Sequence, residues 1–309
     1  MRYFFTLLVL VASLCRMNPV AAQYYFLNNR FYDNDWIVEA GGTLGMMNAL
    51  TDLGGNKGIG KPFVKDLNLE TTNLSGGIYF TGMYRSLIGV RLEACFGQVE
   101  GADSLLKDVR ASAFGRFERN LSFQSKINEI QLGVEFHPLF LPRYLSGEGD
   151  PPLISPYVHA GVGYFAFEPK AQLNGQWYSL QPLRTEGQGF TQYRDRKPYS
   201  LQQLNYHAGA GIRLELTDFI VARLEFDHRI LNTDYLDDVS QDSYIDPALF
   251  AQNLAPGRAA IASQIYFRSD ELTPPDAFSL SNQRGNPRNK DTYFTLQLKV
   301  GVMLGRGRR

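Results

Sequence analysis

The sequence lacks the features that mark most soluble enzymes and helical membrane proteins. Its 309 residues include only two cysteines, Cys15 and Cys95, too few for a disulfide framework or a Cys-rich zinc site. No apolar run reaches the ~18 residues of a membrane-spanning helix, and mean hydropathy is −0.23. Neither sign of charge dominates. Thirty-one Lys and Arg balance 31 Asp and Glu, so nothing electrostatic points to a nucleic-acid partner. No nucleophile elbow, metal-binding His pair or phosphate loop is legible. GGNKGIGKP at 54–62 lacks both the spacing to Lys-Ser/Thr and a following helix, and reads as an external loop. No cofactor and no metal are expected. What is abundant is 44% hydrophobic residues, with 29 Gly, 21 Phe and 17 Tyr, enough for a folded chain.

Residues 1–22, MRYFFTLLVLVASLCRMNPVAA, read as an export signal. Arg2 supplies the positive start, Phe4 to Leu14 the apolar stretch, and Val20 and Ala22 the small residues before cleavage. The mature chain is then a single domain, 23–309. Leu14 stands where a lipoprotein site needs a small residue, which excludes lipidation at Cys15. Cleavage leaves Cys95 alone.

The mature chain alternates with period two. In LNYHAGAGIRLEL (204–216), Leu204, Tyr206, Ile212 and Leu214 share one face, while Asn205, His207, Arg213 and Glu215 share the other. Ile220 to Ile230 repeats the pattern, with Arg223, Glu225, Asp227 and Arg229 in one row. A helix would scatter those charges round its circumference, whereas a strand aligns them. Similar stretches occur at Ile88–Gly97, Glu129–Phe136, Tyr157–Tyr164 and Tyr293–Leu304, and weaker ones at Trp36–Met46 and Leu74–Arg85. That makes eight strands, many of about the 9–11 residues that a tilted strand needs to cross a bilayer.

The connections alternate too. Those after strands one, three, five and seven are long, at about 26, 20, 35 and 60 residues, and polar; the others are tight at Arg85-Ser86 and Thr217-Asp218, or carry GEGDPP (147–152). Short turns at one end and long loops at the other are characteristic of outer-membrane barrels. Periodicity alone does not say which face looks inward. Strand length, the export signal and the loop asymmetry favour an all-β, eight-stranded antiparallel transmembrane barrel in the outer membrane, with apolar residues facing lipid and both termini periplasmic. Residues 169–203 and 231–290 are the main external loops. Trp36, Tyr84, Phe136, Tyr157 and Phe219 would form one aromatic girdle, and Phe96, Phe226 and Phe294 the other.

On this reading Arg91, Glu93, Glu129, Glu135, Arg213, Glu215, Arg223, Glu225, Asp227, Arg229 and Lys299 all project into the lumen. Opposite signs alternate within strands, so a plugged, ion-paired interior is the preferred expectation, and a proton path or narrow pore its rival. His159 and His207 fall on the same lumen face, and His228 on the outer one.

RILNTDYLDDVSQDSYID (229–246) and RGNPRNKDTY (284–293) together resemble the signature of PorG-type outer-membrane barrel proteins of Bacteroidota. The residues that carry the resemblance are Asp234, Tyr235, Asp237 and Asp238 leaving the seventh strand, and Arg284, Gly285, Asn286, Pro287, Lys290 and Asp291 entering the eighth. The resemblance implies a component of type IX secretion and gliding machinery, embedded in outer-membrane lipid and working with periplasmic ring proteins. Physically, the carboxylates of Asp234, Asp237, Asp238, Asp242 and Asp246 with Arg229, Arg284, Arg288 and Lys290 suggest a salt-bridged clasp at the root of the last loop; a calcium site is the alternative. The expected role is structural, in assembly, anchoring or secretion support, without catalysis. The competing roles are an adhesin or receptor that binds through the long loops, and an outer-membrane enzyme.

Overall fold

A computed structural model describes residues 34–53, 69–146, 152, 154–272 and 282–305. The export signal, the glycine-rich segment 54–62 and GEGDPP up to its last residue lie outside the described residues. Among the described residues nine strands form: β1 (Trp36–Leu50), β2 (Asn73–Tyr84), β3 (Ile88–Ala102), β4 (Ser122–Phe136), β5 (Ile154–Leu173), β6 (Gln176–Ser179), β7 (Gln202–Glu215), β8 (Ile220–Leu231) and β9 (Thr292–Leu304). Eight of them close into an antiparallel barrel in the order β4-β3-β2-β1-β9-β8-β7-β5, with β4 pairing back onto β5. Strand β6 pairs only with the far end of β5, as a hairpin that stands beyond the barrel wall.

The register fixes the barrel's shape. Stepping across hydrogen-bonded neighbours from Ala40 passes Phe80, Leu92, Leu132, Val162, Tyr206, Ile230 and Thr292, and arrives back on β1 at Leu50. The shear is therefore ten residues over eight strands, which tilts the strands by about 40° and leaves an interior only wide enough for side chains. The tight β2–β3 turn places Arg85 and Ser86 both in the left-handed region, at φ 49° and 55°, which matches the twist of the flanking strands. This turn, the β7–β8 turn and both ends of the described barrel lie at one end; the long connections lie at the other.

Residues that share strand parity with that path face outward. Leu44 is 66% exposed, Ile78 65%, Leu298 54%, Leu224 51% and Ile212 50%, whereas Arg213 and Glu225 are buried. The apolar row looks out and the ionic row in, the inverse of a soluble barrel and the arrangement that hydrocarbon surroundings favour. No helix among the described residues is long and apolar enough to cross a membrane.

Several strands run further than the alternation of polar and apolar residues suggests. The lumen face of β5 is Tyr157, His159, Gly161 and Gly163, then turns to Phe165, Phe167, Ala171 and Leu173, all buried. Likewise Ile127 and Phe123 continue the inner row of β4. Residues 169–173 are thus strand, not loop. The long connections are not simply polar either. Their described parts fold into a cap whose apolar core includes Leu180, Leu183, Phe190, Leu236, Val239, Phe250, Ala262 and Ile265, with α1 (Arg110–Arg119), α2 (Leu141–Ser146), α3 (Ala248–Asn253) and α4 (Pro256–Ile265) among the connections; of these α2 lies at the short-turn end.

Candidate functional site: a sealed ionic lumen and the root of its cap

Inward-pointing charges on six strands, β1, β3, β4, β7, β8 and β9, pair across the lumen. Arg223 binds Glu39 through Nε (2.6 Å) and a terminal nitrogen (2.8 Å), and Glu135 through the other (2.8 Å). Arg91 meets Glu225 at 2.5 Å, Glu135 at 3.1 Å and Glu93 at 3.4 Å. Lys299 joins Glu93 (2.5 Å) to Glu225 (2.8 Å). Arg213 meets Glu215 at 2.6 Å and Glu39 at 3.3 Å. Arg229 meets Glu129 and Asp227, each at 3.2 Å, and donates to Thr295. All eleven lumen charges expected from the sequence are buried here. The structure joins them across strands: of these cations, Arg223, Arg229 and Lys299 come from β8 and β9, Arg91 from β3 and Arg213 from β7.

Several partners are not evident from charge alternation. Glu39, the single acid on glycine-rich β1, joins Arg213 and Arg223 and accepts from the Tyr79 hydroxyl at 2.7 Å. Tyr157 is not in an aromatic girdle. It is 2% exposed, and its hydroxyl donates to Glu225 at 2.6 Å, because it shares strand parity with His159 and therefore points inward. His137, just past β4, lies 3.3 Å from Glu135 and 3.1 Å from the Ser155 hydroxyl. Among the other girdle positions, Trp36 and Phe219 are well exposed on the outer face.

Apolar layers close the network at both ends. Ile37, Met83, Val221 and Met303 form a floor near the short turns. Met47, Val99, Ile127, Phe165, Leu231 and Tyr293 form the ceiling, continuous with the cap core. Ions between two such layers have little access to water, so each depends on its partner: removing one member of a buried pair costs about 3–5 kcal/mol.

At the root of the cap the two motif segments run side by side. The Arg284 and Gly285 amides donate to the carbonyls of Asp242 and Gln241 (3.0 and 2.8 Å), and the Leu236 amide donates to Asp291 at 2.8 Å. A Cβ on Gly285 would fall 2.7 Å from Val239, so this close approach requires glycine. Asp237 caps the amides of Leu53 and Val239, and Asp238 accepts from Thr185 and Tyr199. The expected clasp is differently built. Arg229 is in the lumen, Arg288 and Lys290 are exposed with Pro287, Asp242 and Asp246, and Asp234 and Asn286 are half-buried. Of the four expected clasp cations, Arg284 is the one buried at the root. It pairs with Glu186 at 3.1 Å and donates to Thr185 and the Tyr266 carbonyl. Arg119 supplies the second tie, gripping Asp103 through two nitrogens (2.7 and 2.8 Å) and donating to the carbonyls of Asp52 and Arg284. Tyr235 stacks on Tyr199, with ring centres 4.6 Å apart. Glu186 and Arg119 belong to other loops, so spacing along the motif carries no sign of them.

Burial with few cations leaves the root carboxyls hard to ionise. Desolvation pushes Asp234 and Asp237 up to about 8 and Asp238 to about 7. Asp291 is raised well above the ordinary carboxyl range by burial and by the neighbouring Asp237 and Asp234. Glu186 is raised by burial despite Arg284 and two backbone amides.

No protein-family model matches the chain, and no curated protein matches it. Solved structures with a similar layout include the N-terminal β-barrel domain of Pseudomonas aeruginosa OprF (10% identity, TM-score 0.34, covering 88% of this chain and 98% of that one). Others are the outer membrane protein OprG of Pseudomonas aeruginosa (12%, 0.35, 87% and 95%) and Escherichia coli Outer Membrane Protein W (13%, 0.31, 87% and 96%).

Proposed function

We propose that this chain is an outer-membrane β-barrel that acts as an anchoring and assembly component, without a transport path or catalysis of its own. It is exported by residues 1–22, both mature termini lie in the periplasm, and the cap stands outside the cell. The observation that carries this reading is the filled lumen: among the described residues, ions paired across strands occupy the barrel between an apolar floor and ceiling. A sealed barrel works through its rims. The segments 229–246 and 284–293 that resemble PorG-type proteins build the root of the cap, and that resemblance supports a role in type IX secretion, with periplasmic ring proteins as partners.

Membrane fractionation followed by gentle-detergent affinity purification tests it. The chain should sediment with outer membranes and run anomalously on an unheated gel. It should also recover periplasmic ring proteins; recovery of surface ligands through the cap instead would support an adhesin role, and recovery of neither would remove the secretion assignment. Single-channel recording should show no ion conductance, and a steady open conductance would overturn the sealed lumen.

A further inference from the structure

One group in the lumen is less completely paired than the rest. His159 on β5, His207 on β7 and Asp227 on β8 are each at least 96% buried. One nitrogen of each imidazole and one carboxylate oxygen lie within 4.8 Å of one another. Asp227 Oδ1 is 3.4 Å from His207 Nδ1. By hydrogen-bond geometry neither ring nitrogen of His207, nor His159 Nε2, nor Asp227 Oδ1 is satisfied among the described residues; the nearest group to His159 Nε2 is Glu225 Oε1, at 3.6 Å. Buried polar atoms are nearly always partnered, so three side chains that bring ligand atoms within 4.8 Å of one another and leave such atoms unsatisfied point to a ligand.

The surroundings suit a cation. Glycine stands opposite each ring in the β5–β7 register, Gly161 across from His207 and Gly209 across from His159. A Cβ at these glycines would fall 2.6 and 2.4 Å from the Nε2 atoms, so side chains larger than hydrogen would displace both rings. The other oxygen of Asp227 faces Arg229 at 3.2 Å and Gln131 at 3.4 Å, the outer-shell support that orients a ligating carboxylate. Charge points the same way. The lumen buries seven carboxylates (the expected six and Glu39) against five Arg and Lys, a surplus of two negative charges that one divalent cation balances.

We propose that His159, His207 and Asp227 hold a divalent first-row transition cation, zinc being the best suited to this nitrogen–oxygen set. Enclosed by floor and ceiling, the ion is structural and enters while the barrel folds. Arg91 donates to His159 Nδ1 at 3.0 Å. When that ring ligates through Nε2, its proton moves to Nδ1, and Arg91 gives up this contact while keeping Glu225 and Glu135.

The full chain, untagged and refolded in detergent with zinc or with a chelator, provides the test. Zinc-folded barrels, washed and analysed by mass spectrometry, should retain one ion each and resist heating to a higher temperature on the gel-shift assay. Cobalt in place of zinc should give visible d–d absorption. Asp227→Asn and His207→Asn should weaken retention by more than about 100-fold, beyond the 10–100-fold of outer-shell changes. His228→Gln, on the outer face, should bind like the parent. If the variants fail to fold, the parent chain decides alone. Folded parent barrels with no retained zinc and no cobalt spectrum would overturn the proposal, as would equal binding by folded Asp227→Asn. Neither result bears on the anchoring role.

Discussion

The lumen and the cap are both buried, yet they are held by opposite chemistry. In the lumen the backbone ladder already fixes the wall, with neighbouring strands paired all the way round, so side chains can be ionic without deciding the shape. The cap has no such ladder beyond the β5–β6 hairpin, and its irregular segments are fixed by an apolar core. Of its buried carboxylates, Asp103 and Glu186 pair with Arg119 and Arg284, while Asp237, Asp238 and Asp291 are held by amides and hydroxyls. A polar interior is therefore compatible with tight structure where backbone pairing sets the geometry, and an apolar one is needed where it does not.

Breaking the ionic side should have the largest effect. Arg223→Met strips Glu39 and Glu135 of their closest cation and should cost about 3–5 kcal/mol, read as a lower urea midpoint for barrel unfolding. The counterpart in the cap is Phe250→Ala, which should cost about 3–4 kcal/mol but release only the loops: proteases should cut within 174–201 or 232–291 while the gel shift of the barrel persists. On the lipid face, Leu224→Arg should cost about 2–4 kcal/mol if it sits near mid-bilayer. Little loss there would mean that this face does not meet hydrocarbon.

The cap should also respond to pH. Carboxyls raised to about 8 at Asp234 and Asp237 stay protonated in the folded cap at pH values where the unfolded chain has lost those protons. Between about pH 4 and 8 the folded form binds more protons, so cap stability is greatest on the acid side and falls as pH rises through 7 to 8. Protease resistance of the cap should therefore be higher at pH 5 than at pH 9, and Asp237→Asn should flatten the difference. The smallest effect belongs to Arg288→Ala and Lys290→Ala, which should change stability by less than about 0.5 kcal/mol because both side chains are exposed.

The eight strands were legible because charge occupies one parity and oily residues the other over the lipid-facing stretch. Beyond that stretch alternation continues but its meaning changes: on β5 the inner row passes from His159 to Phe165 and Phe167, so the polarity contrast ends while the strand does not. Tyr157 illustrates the reverse error. Its position near a strand end suggested a girdle, whereas its parity with His159 already placed it inside. Glu39 was visible only as one acid among glycines. The cap was hidden for a different reason. Leu180, Phe190, Leu236 and Phe250 sit in segments with no period, and Glu186 and Arg119 meet Arg284 through folding alone.

Glu39 also bears on how the barrel comes together. It belongs to the first strand, and its cations Arg213 and Arg223 belong to the sixth and seventh staves of the cylinder. A nascent sheet that lacks either edge would carry a bare carboxylate into oil, so partly assembled intermediates are penalised and the final stitching of β1 to β9 should be concerted. Insertion would then behave as a single event with no stable half-cylinder, committed when the two ends of the chain meet.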